Sequence, residues 1–240
     1  MSLVPDHLDP ATQAKYESIC RKYSVTSDTT WADIKSMVEA TKNQNTRRSE
    51  IIALRTILGT QGAPSIPTAT RKVYSLPTAE EIVRRAQGPY EGFILSMAFA
   101  GLRIGEAVAL SKTDLKRNGD LCWIDVSLSR QNLKGRYKKP KSGQGRVVIP
   151  AWLYEKLQEF DYPEILPNSL YKWMKRRGLQ PHGLRHFYAT YLVRNVSNPE
   201  LARRQLRHAN LETTLGTYVE ITSMDEMAAV SGLENLFEAA

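Results

Sequence analysis

Only two stretches of the chain read as β-strand, LCWIDV at 121–126 and RVVI at 146–149, and they constrain everything around them. The segment between them is basic and Gly-bearing, a pattern of irregular strand and turn, and Pro150 ends the second run. Elsewhere apolar residues recur at the spacing of short amphipathic helices. Such a chain folds as a mainly α protein with one small antiparallel β-sheet (α+β).

Asp9-Pro10 opens the first helix, with Pro at its first position and Tyr16, Ile19 and Cys20 on one face. Asp28 is placed to cap a second, in which Trp31, Ile34, Met37 and Val38 recur. A third starts near Thr46, carries Ile51, Ile52, Leu54, Ile57 and Leu58, and stops at Gly59. The run TQGAPSIPTATRK then reads as an interdomain linker, assigned to 61–75. This divides the chain into a helical domain over 1–60 and a larger domain over 76–240. In the larger one, Thr78 and Glu81 form a capping box for a helix to Ala86. Further helices are expected near 90–99, 104–110, 151–160, 168–177, 183–195, 199–206 and 224–237. The last lines up Met224, Met227, Ala228, Val230, Leu233, Leu236 and Phe237 behind a Ser223 cap.

Charge is unevenly spread. The 240 residues carry 33 Lys and Arg against 25 Asp and Glu, a net +8 with pI near 9.4. Residues 126–154 contain no acid yet hold Arg130, Lys134, Arg136, Lys138, Lys139, Lys141 and Arg146. Residues 165–199 are also acid-free and hold Lys172, Lys175, Arg176, Arg177, Arg185 and Arg194. Such blocks suit a polyanion whose phosphates they neutralise, or else a solvated basic surface. With 42% hydrophobic residues the chain buries a core, which excludes wholesale disorder. No apolar run approaches the roughly 18 residues of a membrane span, and the N-terminus lacks the marks of a secretory signal. Cys20 and Cys122 make no metal spacing and suit a reducing cytoplasm.

Four separated elements carry chemistry. The first is Gly101-Leu102-Arg103-Ile104-Gly105-Glu106, an arginine at the mouth of a helix, where it caps the helix or pairs with Glu106. The second is Lys141 in the turn PKSGQG. The third is His182-Gly183-Leu184-Arg185, at a helix start after Pro181. The fourth is Leu206-Arg207-His208, followed ten residues after the histidine by Tyr218. His182 and His186 also stand at metal-ligand spacing, but Arg185 between them repels a cation, so no metal site is assigned. Two arginines, a lysine, two histidines and a tyrosine suit phosphoryl transfer without a metal. Guanidiniums bind the non-bridging oxygens of a phosphodiester and neutralise charge in the transition state. A tyrosine attacks phosphorus and stores the bond energy in a covalent phosphotyrosine. A lysine or histidine protonates the departing oxygen, and no cofactor or ATP is needed.

In AGLRIGEAVALSKTDL, KSGQGRVVIP, HGLRHFYAT and LRHANLETTLGTYVEI the chain resembles the tyrosine recombinase (phage integrase-like) family, over roughly residues 76–222. The resemblance implies that Arg103 and Arg185 clamp the scissile phosphate and that Glu106 supports the first of them. It makes Lys141 the hairpin general acid, although Lys138 and Lys139 stand two or three residues away and remain alternatives. His182 would handle protons, His208 would hydrogen-bond the phosphate, and Tyr218 would be the nucleophile that leaves a 3′-phosphotyrosine. Tyr171, Tyr188 and Tyr191 are the other candidate nucleophiles. Arg207 departs from the pattern, because the family keeps a glycine before its third-box histidine.

The implied function is site-specific recombination of DNA strands, as in an integrase of a mobile element. The alternative is a type IB topoisomerase, disfavoured by the absence of a recognisable clamp domain. Expected partners are double-stranded DNA, a homotetramer on DNA that is monomer or dimer when free, and accessory DNA-bending proteins, with no membrane. Expected DNA contacts come from Arg130, Lys134, Arg136, Lys138, Lys139, Arg146, Lys172, Lys175, Arg176 and Arg177, and the helical domain over 1–60, similar in kind to the family's core-binding domain, is expected to bind DNA as well. The tail at 224–237 is expected to dock on its own domain or on a neighbouring subunit.

Overall fold

The computed structural model describes residues 3–70, 76–132, 136–140, 143–195 and 199–207. Lys134, Lys141, His208, Tyr218 and the helix expected at 224–237 lie outside them. The chain divides into two compact units, Met1–Val73 and Tyr74–Ala240.

Three helices build the smaller unit. Helix α1 (Pro10–Lys22) starts where the Asp9 carboxylate accepts from the N–H groups of Ala11 at 3.1 Å and Thr12 at 3.3 Å. Helix α2 (Trp31–Glu39) is capped by Thr30, not by Asp28. Thr30 directly precedes the helix, and its N–H donates to Asp33 Oδ2 at 2.7 Å, a reciprocal box that Asp28 stands too far upstream to make. Helix α3 (Gln44–Leu58) begins two residues before Thr46, because Asn43 Oδ1 accepts from the Thr46 N–H at 2.9 Å. Ile19, Tyr23, Trp31, Ile34, Val38, Ile51, Ala53 and Leu54 form the core, while Met37 and Ile52, from the same expected stripes, stay exposed. Buried Glu50 is held by Lys22 Nζ at 2.6 Å and the Tyr23 hydroxyl at 2.7 Å. The Pro-rich run does not hang free over its described length. Arg55 donates to the Pro64 carbonyl, Arg48 to that of Pro67 and Gln44 to that of Thr68, while Asn45 exchanges two bonds with Thr70. It is strapped along α3.

The larger unit is mainly helical around a small antiparallel sheet. Helix α4 (Ala79–Ala86) has the expected box, with Thr78 Oγ1 accepting from Glu81 N and Thr78 N donating to the Glu81 carboxylate. Helix α5 (Glu91–Phe99) is buried from Gly92 to Ala98 and runs through the core. A short helix α6 (Ile104–Ala107) follows, ending three residues before the expected Leu110.

Strands β1 (Leu115–Asn118), β2 (Leu121–Val126) and β5 (Gly145–Ile149) form a sheet in the order β1-β2-β5, with Ile124 facing Leu115 on one side and Val147 on the other. Leu115, Cys122, Ile124, Val126, Val147 and Ile149 alternate into the core. Strand β1 carries only one apolar residue in LKRN, so periodicity does not reveal it. Strands β3 (Ser129–Arg130) and β4 (Tyr137–Lys138) pair as a separate short ribbon. Four helices complete the unit: α7 (Ala151–Glu159), α8 (Pro167–Arg176), α9 (Pro181–Asn195) and α10 (Pro199–Leu206). Gln205 at the end of α10 accepts from the Val148 N–H at 3.2 Å, which ties that helix to β5. No helix among the described residues is long and apolar enough to cross a membrane. Both cysteines are buried free thiols.

Candidate active site

Three of the four sequence elements meet at one buried cluster: the loop before α6, the first turns of α9 and the end of α10. Arg185 is the tie between them. It is 4% exposed; its Nη1 donates to the Gly101 carbonyl and its Nη2 to the Leu206 carbonyl at 2.5 Å. A guanidinium so placed locks two backbone segments that are 105 residues apart in sequence, Gly101 and Leu206. Gly101 has φ +63, and a Cβ there would lie 2.4 Å from Cδ1 of Tyr188 on α9. The loop therefore passes against the Tyr188 ring as only glycine permits.

Arg103 and Glu106 occupy α6 and its cap. The Arg103 N–H donates to Glu106 Oε2 at 2.8 Å, and Arg103 Nη1 to Oε1 at 3.2 Å, so the residue both caps the helix and pairs with Glu106. The Arg103 side chain remains about one-third exposed, at 32%, whereas Glu106 is 1% exposed. Arg207 completes the cluster by donating from Nη2 to Glu106 Oε2 at 2.6 Å. Burial alone would raise the Glu106 carboxyl pKa. The Arg207 charge, the Arg103 N–H and the Arg103 charge outweigh it and hold the group below the ordinary carboxylate value, so it is ionised at neutral pH.

His182 stands exposed in the first turn of α9, one turn before Arg185. His186 lies one turn further on, and burial, then His182, then Arg185 push its pKa down. No group of three or more His, Cys, Asp or Glu side chains able to hold a metal gathers among the described residues. Of the other candidate tyrosines, Tyr188 is buried, and burial raises its phenol far above the usual value despite Arg185 and Arg207 nearby. Tyr191 and Tyr171 are exposed, on α9 and α8.

The basic residues divide. Arg136, Lys139, Arg146, Lys172, Lys175, Arg176 and Arg177 are exposed, and Lys138 on β4 is half-buried. Arg146 sits over the Trp123 ring and Arg177 over that of Trp173. Arg130 departs from its expected place on a phosphate-facing surface. It is 6% exposed, and its Nη2 donates to Glu164 Oε1 at 2.6 Å. The acid it needs comes from beyond α7, outside the acid-free stretch that made it look unpaired. Sequence reasoning also missed that Arg207 reaches Glu106. The only signal was an arginine where a glycine belongs.

No family model matches the chain. A tyrosine recombinase of Thermosipho africanus is 29% identical over 153 residues, which cover 56% of this chain and 50% of the relative. Transposase A of transposon Tn554 from Staphylococcus aureus is 39% identical over 157 residues, 55% of this chain and 44% of the relative. The chain thus spans about half the length of the curated relatives it matches. Among solved structures, the Tn1549 transposon integrase in complex with transposon right end DNA superposes with a TM-score of 0.70 at 17% identity, over 95% of each chain. A lambda integrase dimer bound to a core site gives 0.62 at 15% identity, over 90% of this chain and 91% of that one. At such identities the structural likeness is one of fold. Over about half of its length the chain is similar in sequence to a tyrosine recombinase and to a transposase, and it has the fold of the integrase structures.

Proposed function

We propose that the chain acts as a site-specific DNA recombinase of the integrase type, cutting and rejoining strands of a mobile element through a 3′-phosphotyrosine. One observation carries this: Arg103 and Arg185, distant in sequence, belong to one cluster organised on buried Glu106 and the Gly101 and Leu206 carbonyls. Two preorganised guanidiniums at the mouth of a helix suit a phosphodiester whose charge grows during in-line attack. Tyr218 is the proposed nucleophile, with His182 and His208 handling protons and hydrogen-bonding the phosphate. The proposed acid for the departing 5′-oxygen is Lys141, with Lys138 and Lys139 as neighbours. Buried Tyr188 is a poor nucleophile because its phenol holds its proton tightly.

The exposed cations of the β4–β5 region and of α8 would track the DNA backbone, and the smaller helical unit would grip the same duplex. Assembly into a homotetramer on DNA, with accessory DNA-bending proteins, belongs to the same proposal. A topoisomerase reading is not favoured, since the relatives bear the names of recombinases and transposases.

The test uses duplexes spanning the ends of the element that flanks the gene, nicked so that the cut strand diffuses away and traps the covalent adduct. Wild-type protein should form a 3′-linked protein–DNA species on a denaturing gel, and Tyr218→Phe should form none while binding the duplex normally. An adduct that persists in Tyr218→Phe moves the nucleophile to another tyrosine. If wild-type protein traps on none of these duplexes, the proposal fails.

A further inference from the structure

Arg207 is built into the site in a way that pairing with Glu106 does not explain. It ends α10 with φ +52, a left-handed backbone conformation that few side chains adopt. It is 7% exposed, and its methylene stem lies over Gly145, where an added Cβ would stand 3.5 Å from Arg207 Cδ. One Nη2 donor is used on Glu106. Nε and Nη1 are buried and meet no acceptor among the described residues. Burying guanidinium donors without acceptors is unfavourable, and the groups that satisfy them best are anionic oxygens.

The position narrows the choice of anion. Arg207 shares the Glu106 carboxylate with Arg103, and the Leu206 carbonyl beside it accepts from Arg185. Two guanidiniums thus share one buried carboxylate, and a third, Arg185, is held to the backbone beside them. Arg207 leaves Nε and Nη1 without an acceptor among the described residues while its Nη2 is spent on Glu106, so an anionic oxygen is favoured beside it. A phosphodiester brings that charge and two non-bridging oxygens.

We propose that Arg207 is a third phosphate-binding guanidinium of this site, directing a buried N–H at a non-bridging oxygen of the scissile phosphodiester while its Nη2 stays on Glu106. This rests on the phosphoryl-transfer function proposed above. A glycine at 207 would relieve the backbone but supply no donor, so the arginine adds a phosphate contact at the expense of a strained turn.

The experiment is equilibrium DNA binding in a Tyr218→Phe background, which prevents cleavage, on the duplex whose cleavage site has been mapped by trapping. One version has a normal phosphodiester at that site and the other a neutral methylphosphonate. Arg207→Ala should lower affinity for the charged duplex by about tenfold, the scale of a lost hydrogen bond to a charged group, and change the neutral one by less than about twofold. The tenfold loss should persist when Glu106→Gln is also present, because direct contact does not run through Glu106. An equal loss on both duplexes, or a loss that vanishes with Glu106→Gln, overturns the proposal and leaves Arg207 a positioning residue. Arg103→Ala is measured alongside. If it too ignores the charge of the phosphate, the function proposed for the site fails, separately from the role of Arg207. Should Arg207→Ala not fold, Arg207→Lys serves in its place with the same outcomes, since it keeps a cation for Glu106 but has no second edge for an oxygen.

Discussion

Replacing Gly101 with alanine tests the closest approach in the site. Two penalties add. The backbone has φ +63, and holding a residue with a Cβ in that region costs about 1–2 kcal/mol. The new Cβ would also stand 2.4 Å from Cδ1 and 2.9 Å from Cε1 of Tyr188, a ring that is only 8% exposed and cannot swing into solvent. Overpacking of this kind costs about 1–3 kcal/mol, so the total is roughly 2–5 kcal/mol. Gly119, in the turn between β1 and β2, is the control. It has φ +58 with nothing within 4 Å of an added Cβ, so Gly119→Ala should cost only the backbone part, about 1–2 kcal/mol. Urea unfolding of the full chain, followed by tryptophan fluorescence, measures both. Trp123, Trp152 and Trp173 lie in the larger unit and Trp31 in the smaller, so the signal reports mainly on the unit that contains both glycines. In a Tyr188→Ala background the extra cost of Gly101→Ala should disappear, because the ring it strikes is gone. If Gly101→Ala is no more destabilising than Gly119→Ala, the loop relaxes without strain, and the packing argument for this glycine is wrong.

Arg103→Ala and Arg185→Ala should each slow adduct formation at least ~10²-fold, and near-normal rates in either would remove it from the phosphate. Arg185→Ala should also lower stability, since it releases the Gly101 and Leu206 carbonyls; Arg103→Ala, at a more exposed side chain, should do so less. Glu106 has a lowered folded-state pKa, so its contribution to stability is complete above the ordinary glutamate value of about 4.3 and is lost as pH falls through the lowered one. Glu106→Gln should therefore destabilise the protein by about 3–5 kcal/mol at pH 7, where it strands the Arg207 charge, and the gap to wild type should shrink on acidification; a gap independent of pH would refute the ion-pair role. DNA affinity should fall by about 10³–10⁵ between 50 and 200 mM salt if roughly 6–10 phosphates are neutralised, and a flat salt response would rule out a backbone-tracking surface.

Much of the local structure was legible because it depends on residues a few positions apart. The Asp9 cap, the Thr78–Glu81 box, the stop at Gly59 and the β-rich runs of β2 and β5 are all short-range patterns. Where expectation slipped, a nearby competitor won: Thr30 capped α2 through Asp33, and Asn43 started α3 early. Strand β1 stayed hidden since three of its four residues are polar and only pairing with β2 makes it a strand.

For the site, residue types and their order along the chain were enough to single out Arg103, Glu106 and Arg185 as one constellation. Their roles were not readable. An arginine in an acid-free stretch looks like a free cation whether or not an acid meets it in space. Arg130 finds Glu164 across an intervening helix, and Arg207 finds Glu106 across 101 residues of chain. Charge pairing depends on distance in three dimensions and desolvation, neither of which is a property of sequence neighbours. The sequence by itself therefore determined which groups are present and the helices and strands that carry them. Only the tertiary structure decided which cations are buried and paired, and which remain exposed.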